Sequence, residues 1–347
     1  MKNQSHAGVV IRKDGRAGRI TLNRPKALNA LTWSMCRAIE AALDEWAADD
    51  AVALVVIDGA GDKAFCAGGD IQEMYARGTV GDFAYGDAFW RDEYRMNAKL
   101  FNFPKPVATF LHGFTMGGGV GVGCHGSHRV VCEGSVISLP EVSIGLVPDV
   151  GGSLLLARAP GRLGEYLGLT ADRMEAADAI HAGFADYFVR QAAWPDLIDA
   201  VCATGDWTLI DAAATPAPDS RLAAWQTEID AVFGGETLGD IHRAMPATLS
   251  KPLAHAQKLM ARNSPLAQEV TVGLIHKVRM RDTIEAALDH EFRFTSRAME
   301  KGDFLEGIRA AIIDRYRNPR WRAYTGADIV AMTYPVHPPL DLTGDAP

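Results

Sequence analysis

Twice in this chain an uninterrupted apolar run breaks into a glycine-rich loop and then into a helical pattern. Residues 52–57 lead to Phe65-Cys66-Ala67-Gly68-Gly69-Asp70 and a helix from Ile71; residues 107–111 lead to the loop over 113–123. A short, wholly apolar run reads as a strand covered on both faces, and parallel strands of that kind need crossover connections. The feature therefore constrains the chain to an α/β architecture with repeated crossover units.

The rest of the pattern fits around that frame. Residues 9–12 and 18–23 flank Asp14-Gly15 as a hairpin. Thr32 reads as a helix cap ahead of the stripe Met35, Ile39, Leu43 and Trp46. Residues 79–90, rich in glycine and aromatics, read as an irregular excursion, and 92–101 as a helix. Short strands are expected over 129–132 and 136–139, then a loop from Pro140 to Gly152, then helices over 153–159 and 161–169. After Cys202 the texture changes. Residues 212–218 read as a linker, and Leu222, Trp225, Ile229 and Phe233 form one helical stripe, Ile284, Leu288 and Phe292 another. The tail after Tyr334 is proline-rich and reads as loose. The expected division is a core over 1–205 and a mainly helical region over 206–347.

Several function classes fall away on composition. The net charge of −8 argues against a nucleic-acid partner, which needs a basic face. No apolar stretch reaches the roughly 18 residues of a membrane helix, so no membrane partner is expected. The five cysteines are odd in number and none forms a CxxC pair. With no apolar signal region over 1–12, the reading is free thiols in a reducing, cytoplasmic setting. Cys124, His125 and His128 lack a second ligand pair at a fitting distance, so no metal is expected.

The glycine loops carry the first chemical signal. Such loops aim backbone N–H groups from a helix start, which suits a phosphate or an oxyanion; they also simply permit tight turns. Gly121-Val122-Gly123-Cys124-His125-Gly126 matches a dinucleotide fingerprint. The strand expected from Arg129 leaves no room for the helix that fingerprint requires. No Gly-Lys-Ser/Thr closes either loop, so a P-loop is excluded as well. The second signal is a pair of acids. Glu141 and Asp149 lie eight residues apart across a mostly apolar stretch. Buried among such neighbours, their pKa values would rise into the range of general acid–base work; exposed, they would be loop acids or caps.

Four segments in order resemble the crotonase (enoyl-CoA hydratase/isomerase) superfamily: residues 22–30 (Leu-Asn-Arg-Pro-Lys-Ala-Leu-Asn-Ala), 65–71, 112–119 (His-Gly-Phe-Thr-Met-Gly-Gly-Gly) and Pro140-Glu141 with Gly145. The triple glycine continuing to Gly121 and Gly123, the Pro148-Asp149-Val150-Gly151-Gly152 run, the Trp90-Arg91-Asp92-Glu93-Tyr94 insertion and residues 303–310 are similar to its acyl-CoA hydrolase branch. The resemblance reaches about Trp321 and implies a repeated ββα superhelix followed by C-terminal helices.

It also implies roles. The amides of Gly69 and Gly118 would bind a thioester oxygen. Lys26, Ala27 and Leu28 would contact the CoA nucleotide, and Ala67, Asp70 and Ile71 its adenine and pantetheine. Glu93 would contact the acyl group. Hydratases of the superfamily use two glutamates; the first position is Gly121 here, while the second is Glu141 and a new acid, Asp149, follows. The implied activity is hydrolysis of a short-chain 3-hydroxyacyl-CoA, with the 3-hydroxyisobutyryl ester of valine breakdown as first choice. Glu141 would attack the thioester or activate water, and Asp149 would orient the 3-hydroxyl or assist proton transfer. The competing activities are enoyl-CoA hydration or isomerisation, and acyl-CoA binding without turnover. CoA is part of the substrate, so no cofactor is expected; the implied assembly is a homo-oligomer.

Overall fold

A computed structural model of the chain describes residues 4–6 and 8–344. The chain groups into two units, each built from three separated stretches. The first holds Met1–Gly69, Arg95–Ile137 and Arg173–Arg221; the second holds Asp70–Tyr94, Ser138–Asp172 and Leu222–Pro347. This grouping runs differently from a single boundary at residue 205. The late helices share a unit with two earlier stretches, a long-range association that a composition shift does not record.

The described strands are β1 (Gln4–His6), β2 (Val9–Asp14), β3 (Ala17–Leu22), β4 (Leu54–Gly59), β5 (Ala64–Cys66), β6 (Val107–Leu111), β7 (Phe114–Met116), β8 (His128–Val131), β9 (Val136–Ser138), β10 (Met174–Glu175) and β11 (Tyr187–Phe188), all within the first unit except Ser138 at the end of β9. They form a seven-stranded sheet in the order β1-β2-β3-β4-β6-β8-β11 and a four-stranded sheet in the order β10-β9-β7-β5. From β3 to β11 every pairing in the larger sheet is parallel, as the buried apolar runs required. Leu54, Val56, Ala108, Phe110 and Val130 pack with Trp194, Leu197, Ile198 and Val201 of the helix Trp194–Thr204. Thr32 caps the helix Trp33–Ala47 by accepting the Met35 N–H at 3.3 Å, and the stripe Met35, Ile39, Leu43, Trp46 is buried.

Residues 79–90 depart from expectation. A helix begins at Ala84 and runs to Phe101, so most of the supposed excursion is helical. Gly86 is not a turn residue: a Cβ there would lie 2.3 Å from the Met299 sulfur. Phe89 and Trp90 are buried, and the Trp90 ring lies 5.7 Å from that of Phe304. Tertiary burial outweighs the roughly 1 kcal/mol helix penalty of one glycine. The expected linker also begins later, because a helix spans Thr208–Ala213.

In the second unit the helices Gly152–Arg158 and Leu163–Thr170 pack against Pro265–Arg281. After Phe188 every regular element among the described residues is helical. No helix among them is long and apolar enough to cross a membrane.

Candidate active site

The first unit brings together segments that are remote in sequence. Pro25–Ala27 form a 3-10 turn, and Leu28 and Asn29 follow in the left-handed region at φ 51° and 56°. Asn29 is fully buried. Its amide donates to the carbonyls of Ala60 at 2.9 Å and Ala64 at 2.8 Å, and its Oδ1 accepts the Arg24 N–H at 2.8 Å. The Ala67 N–H donates to the Leu28 carbonyl at 3.0 Å, and the Leu31 N–H to that of Gly68 at 2.9 Å. Lys26, Ala27 and Leu28 are thus laced beside Ala67 and Gly69, with Lys26 and Ala27 exposed. Asp70 and Ile71 fall in the other unit, where Asp70 precedes the helix Ile71–Gly78.

The second glycine loop runs beside the first. A Cβ at Gly68, whose φ is +108°, would sit 3.2 Å from the Met116 carbonyl oxygen and 3.8 Å from the Gly118 nitrogen. Gly118 opens the buried helix Gly118–Gly123, so its N–H is among those with no intrahelical acceptor. Gly121 lies inside that helix and brings no side chain.

The second unit gathers the acids. Glu141 opens the 3-10 turn Glu141–Ile144 behind Pro140, and Gly145 closes it at φ 78°. Glu141 is 4% exposed, and its Oε2 is buried without a hydrogen-bond partner. Asp149, also 4% exposed, accepts from the Tyr94 hydroxyl at 2.8 Å. Tyr94 lies 3.3 Å from Thr295 Oγ1 as well. Glu93, next to Tyr94 on the helix Ala84–Phe101, is buried with Oε1 unpartnered. The fourth acid is Glu291, fully buried on the helix Ile284–Lys301.

Burial is the first cause of every shift in this cluster. It lifts Glu141 well above the usual carboxylate range, and the neighbouring Asp149 charge adds to the rise. The same two causes, in the same order, lift Glu93. Asp149 is pushed up to about 7 by burial, against the hydrogen bond from Tyr94 that favours its charged form. Glu291 rises to about 8 by burial, against bonds from Ser153 and Gly151. Carboxyls so arranged divide into proton donors and acceptors near neutral pH, the condition for general acid–base work.

Glu93, Glu141 and Asp149 therefore come together in one unit; in the other, Gly68, the neighbour of Gly69, approaches Gly118. Tyr94 and Glu291 went unread as site residues. Glu291 did leave a signal: it is an acid at helical spacing from Ile284 and Leu288, on the apolar face. Among the described residues no group of three or more His, Cys, Asp or Glu is placed to hold a metal ion.

The cluster has a consequence for stability. Acids with raised native pKa values bind more protons folded than unfolded, so stability declines as pH rises through the interval above the ordinary carboxylate range. Between pH 7 and 8, where unfolded histidines are largely neutral and buried ones already so, Glu291, lifted to about 8 in the fold, still holds a proton that it releases on unfolding. The melting temperature is expected to fall across that window. A calorimetric scan in which it rises would show Glu291 already ionised in the native state.

The chain matches a family described as enoyl-CoA hydratase/isomerase over residues 17–333. It is 35% identical to the mitochondrial 3-hydroxyisobutyryl-CoA hydrolase of Danio rerio, over 95% of this chain and 88% of that protein. Identity to the enzyme of the same name from Xenopus tropicalis is 37%, over 90% and 83%. A crystal structure described as an enoyl-CoA hydratase from Rhodobacter sphaeroides matches with a TM-score of 0.92 and 52% identity, over 96% of this chain and all of that one. The curated relatives are mitochondrial, which overturns the expected cytoplasmic location. That expectation leaned on the cysteine pattern and on residues 1–12, neither of which distinguishes one reducing compartment from another. On the family match and on identity above 30% across most of its length, the chain belongs to the enoyl-CoA hydratase/isomerase family.

Proposed function

We propose that this protein hydrolyses a short-chain 3-hydroxyacyl-CoA thioester, with 3-hydroxyisobutyryl-CoA the first substrate, releasing 3-hydroxyisobutyrate and CoA in valine breakdown. The observation that carries the reading is the buried pair Glu141 and Asp149 in a chain whose first hydratase position is Gly121. Hydration needs one group to place water and another to exchange the α-proton, and a glycine supplies neither. Hydrolysis needs an oxyanion hole and one nucleophile or base. The names of the curated relatives support the same choice.

In this reading the amides of Gly69 and Gly118 donate to the thioester oxygen, and each such donor is worth about 3–4 kcal/mol as charge develops. Glu141 takes a proton from water as the oxygen bonds to the carbonyl carbon, or bonds to that carbon itself to give an anhydride that water cleaves once the thiolate has left, releasing the acid and freeing Glu141. The C–S bond then breaks and the thiolate leaves to be protonated. Asp149 orients the 3-hydroxyl or passes the proton, and Glu93 holds the hydroxyl. Lys26, Ala27 and Leu28 contact the CoA nucleotide; Ala67, Asp70 and Ile71 contact adenine and pantetheine. The chemistry calls for no metal or further cofactor, and the working form is a homo-oligomer.

Hydration is the second reading, favoured by the description of the Rhodobacter sphaeroides structure. One experiment separates the two. The protein is mixed with 3-hydroxyisobutyryl-CoA while free thiol is followed with a disulfide dye, and with crotonyl-CoA while the enoyl absorbance is followed. Thiol release with a steady enoyl absorbance is expected. Loss of the enoyl absorbance without thiol release would replace hydrolysis by hydration.

A further inference from the structure

Asp149 sits in a backbone that it does not hold by itself. Val150 follows it at φ 56°, a conformation a β-branched residue avoids, and Gly151 continues at φ 76°. Such strain persists only where the surroundings over-determine it. The helix Gly152–Arg158 starts here, and its cap position, Gly151, has no side chain to satisfy the first N–H groups.

Glu291 satisfies them from 140 residues away. Its carboxyl accepts the Gly151 N–H at 2.8 Å, the Ser153 N–H at 3.0 Å and the Ser153 hydroxyl. One helical turn further on the same face stands Thr295, fully buried, whose hydroxyl meets that of Tyr94, and Tyr94 donates to Asp149. The groups around Asp149 are thus Glu93 and Tyr94 from one helix, Glu141 from the 3-10 turn, and Glu291 with Thr295 from another helix.

We infer that the helix Ile284–Lys301 positions Asp149 for the reaction: Glu291 holds the backbone of the 149–153 turn, and Thr295, through Tyr94, holds the carboxylate. Neither Glu291 nor Thr295 touches substrate in this account; both are positioning residues. The inference rests on the hydrolase reading, in which Asp149 works as an ionised group. Breaking the Tyr94 bond removes an interaction that favours the charged form, so the acid limb of the pH–rate profile moves to higher pH.

The test uses the full chain and four variants, Glu291→Gln, Thr295→Val, Thr295→Ser and Tyr94→Phe, each assayed for kcat, KM, pH profile and melting temperature. Glutamine keeps the shape of Glu291 but turns an N–H donor toward one of the backbone N–H groups. Glu291→Gln is expected to lower kcat by about 100-fold with KM little changed, the scale of loss from a displacement near 1 Å. Thr295→Val and Tyr94→Phe are expected to move the acid limb upward, and Thr295→Ser to restore it. A lowered melting temperature with unchanged kcat and acid limb would leave these residues structural and overturn the inference. If Glu291→Gln fails to fold, the Thr295 pair and Tyr94→Phe still decide it. Absence of thiol release by the unaltered protein would sink the hydrolase reading instead, a distinct result.

Discussion

Replacing Glu141 by glutamine is expected to lower thioester hydrolysis by about 10³-fold while acyl-CoA binding persists, within the range seen for loss of a positioned acid or base. The substitution keeps the volume of a side chain that is 4% exposed, so no cavity opens behind Pro140. It removes the ability to take a proton or attack a carbon. The unpartnered Oε2 is the atom at issue, since a buried polar atom left without a protein partner calls for a ligand or a role. Titration calorimetry with CoA and single-turnover thiol release would separate binding from chemistry. Unchanged turnover would remove Glu141 from the mechanism.

Asp149→Asn is expected to cost about 10²-fold in kcat and to erase the acid limb of the pH profile. The sign follows from the site. Burial lifts Asp149 to about 7, so in the unaltered protein the ionised fraction, and with it the rate, falls as pH drops through that value. An asparagine cannot titrate, and the residual rate should be flat there. The amide also changes the partner of Tyr94: its NH2 group faces the phenol as a donor, so the 2.8 Å bond survives only with the amide oxygen turned inward. A retained acid limb near neutral pH in Asp149→Asn would assign that limb to another of the four acids, and a substrate lacking the 3-hydroxyl would test whether Asp149 senses that group.

The parts of this protein legible in sequence are those governed by local rules. The wholly apolar runs at 52–57 and 107–111 become buried parallel strands, because a strand covered on both faces has no polar side to show. The Thr32 cap and the stripe behind it follow from helical spacing alone. The glycines near 68 and 118 mark a close backbone approach, which a Cβ would obstruct or strain. The same rule misled at Gly86, where the close neighbour is Met299 and the backbone is simply helical.

What tertiary structure decided was the company the acids keep. Sequence spacing set Glu141 and Asp149 eight residues apart but left them equally readable as exposed loop acids. Burial beside Glu93, Tyr94 and Glu291 turns them into a coupled set with raised pKa values. The bond from Tyr94 to Asp149 spans 55 residues, and that from Gly151 to Glu291 spans 140. No local propensity links positions so far apart. Their meeting depends on how the helices of the second unit pack, and the cost of desolvating a charge depends on that packing and not on the residue's neighbours in the chain.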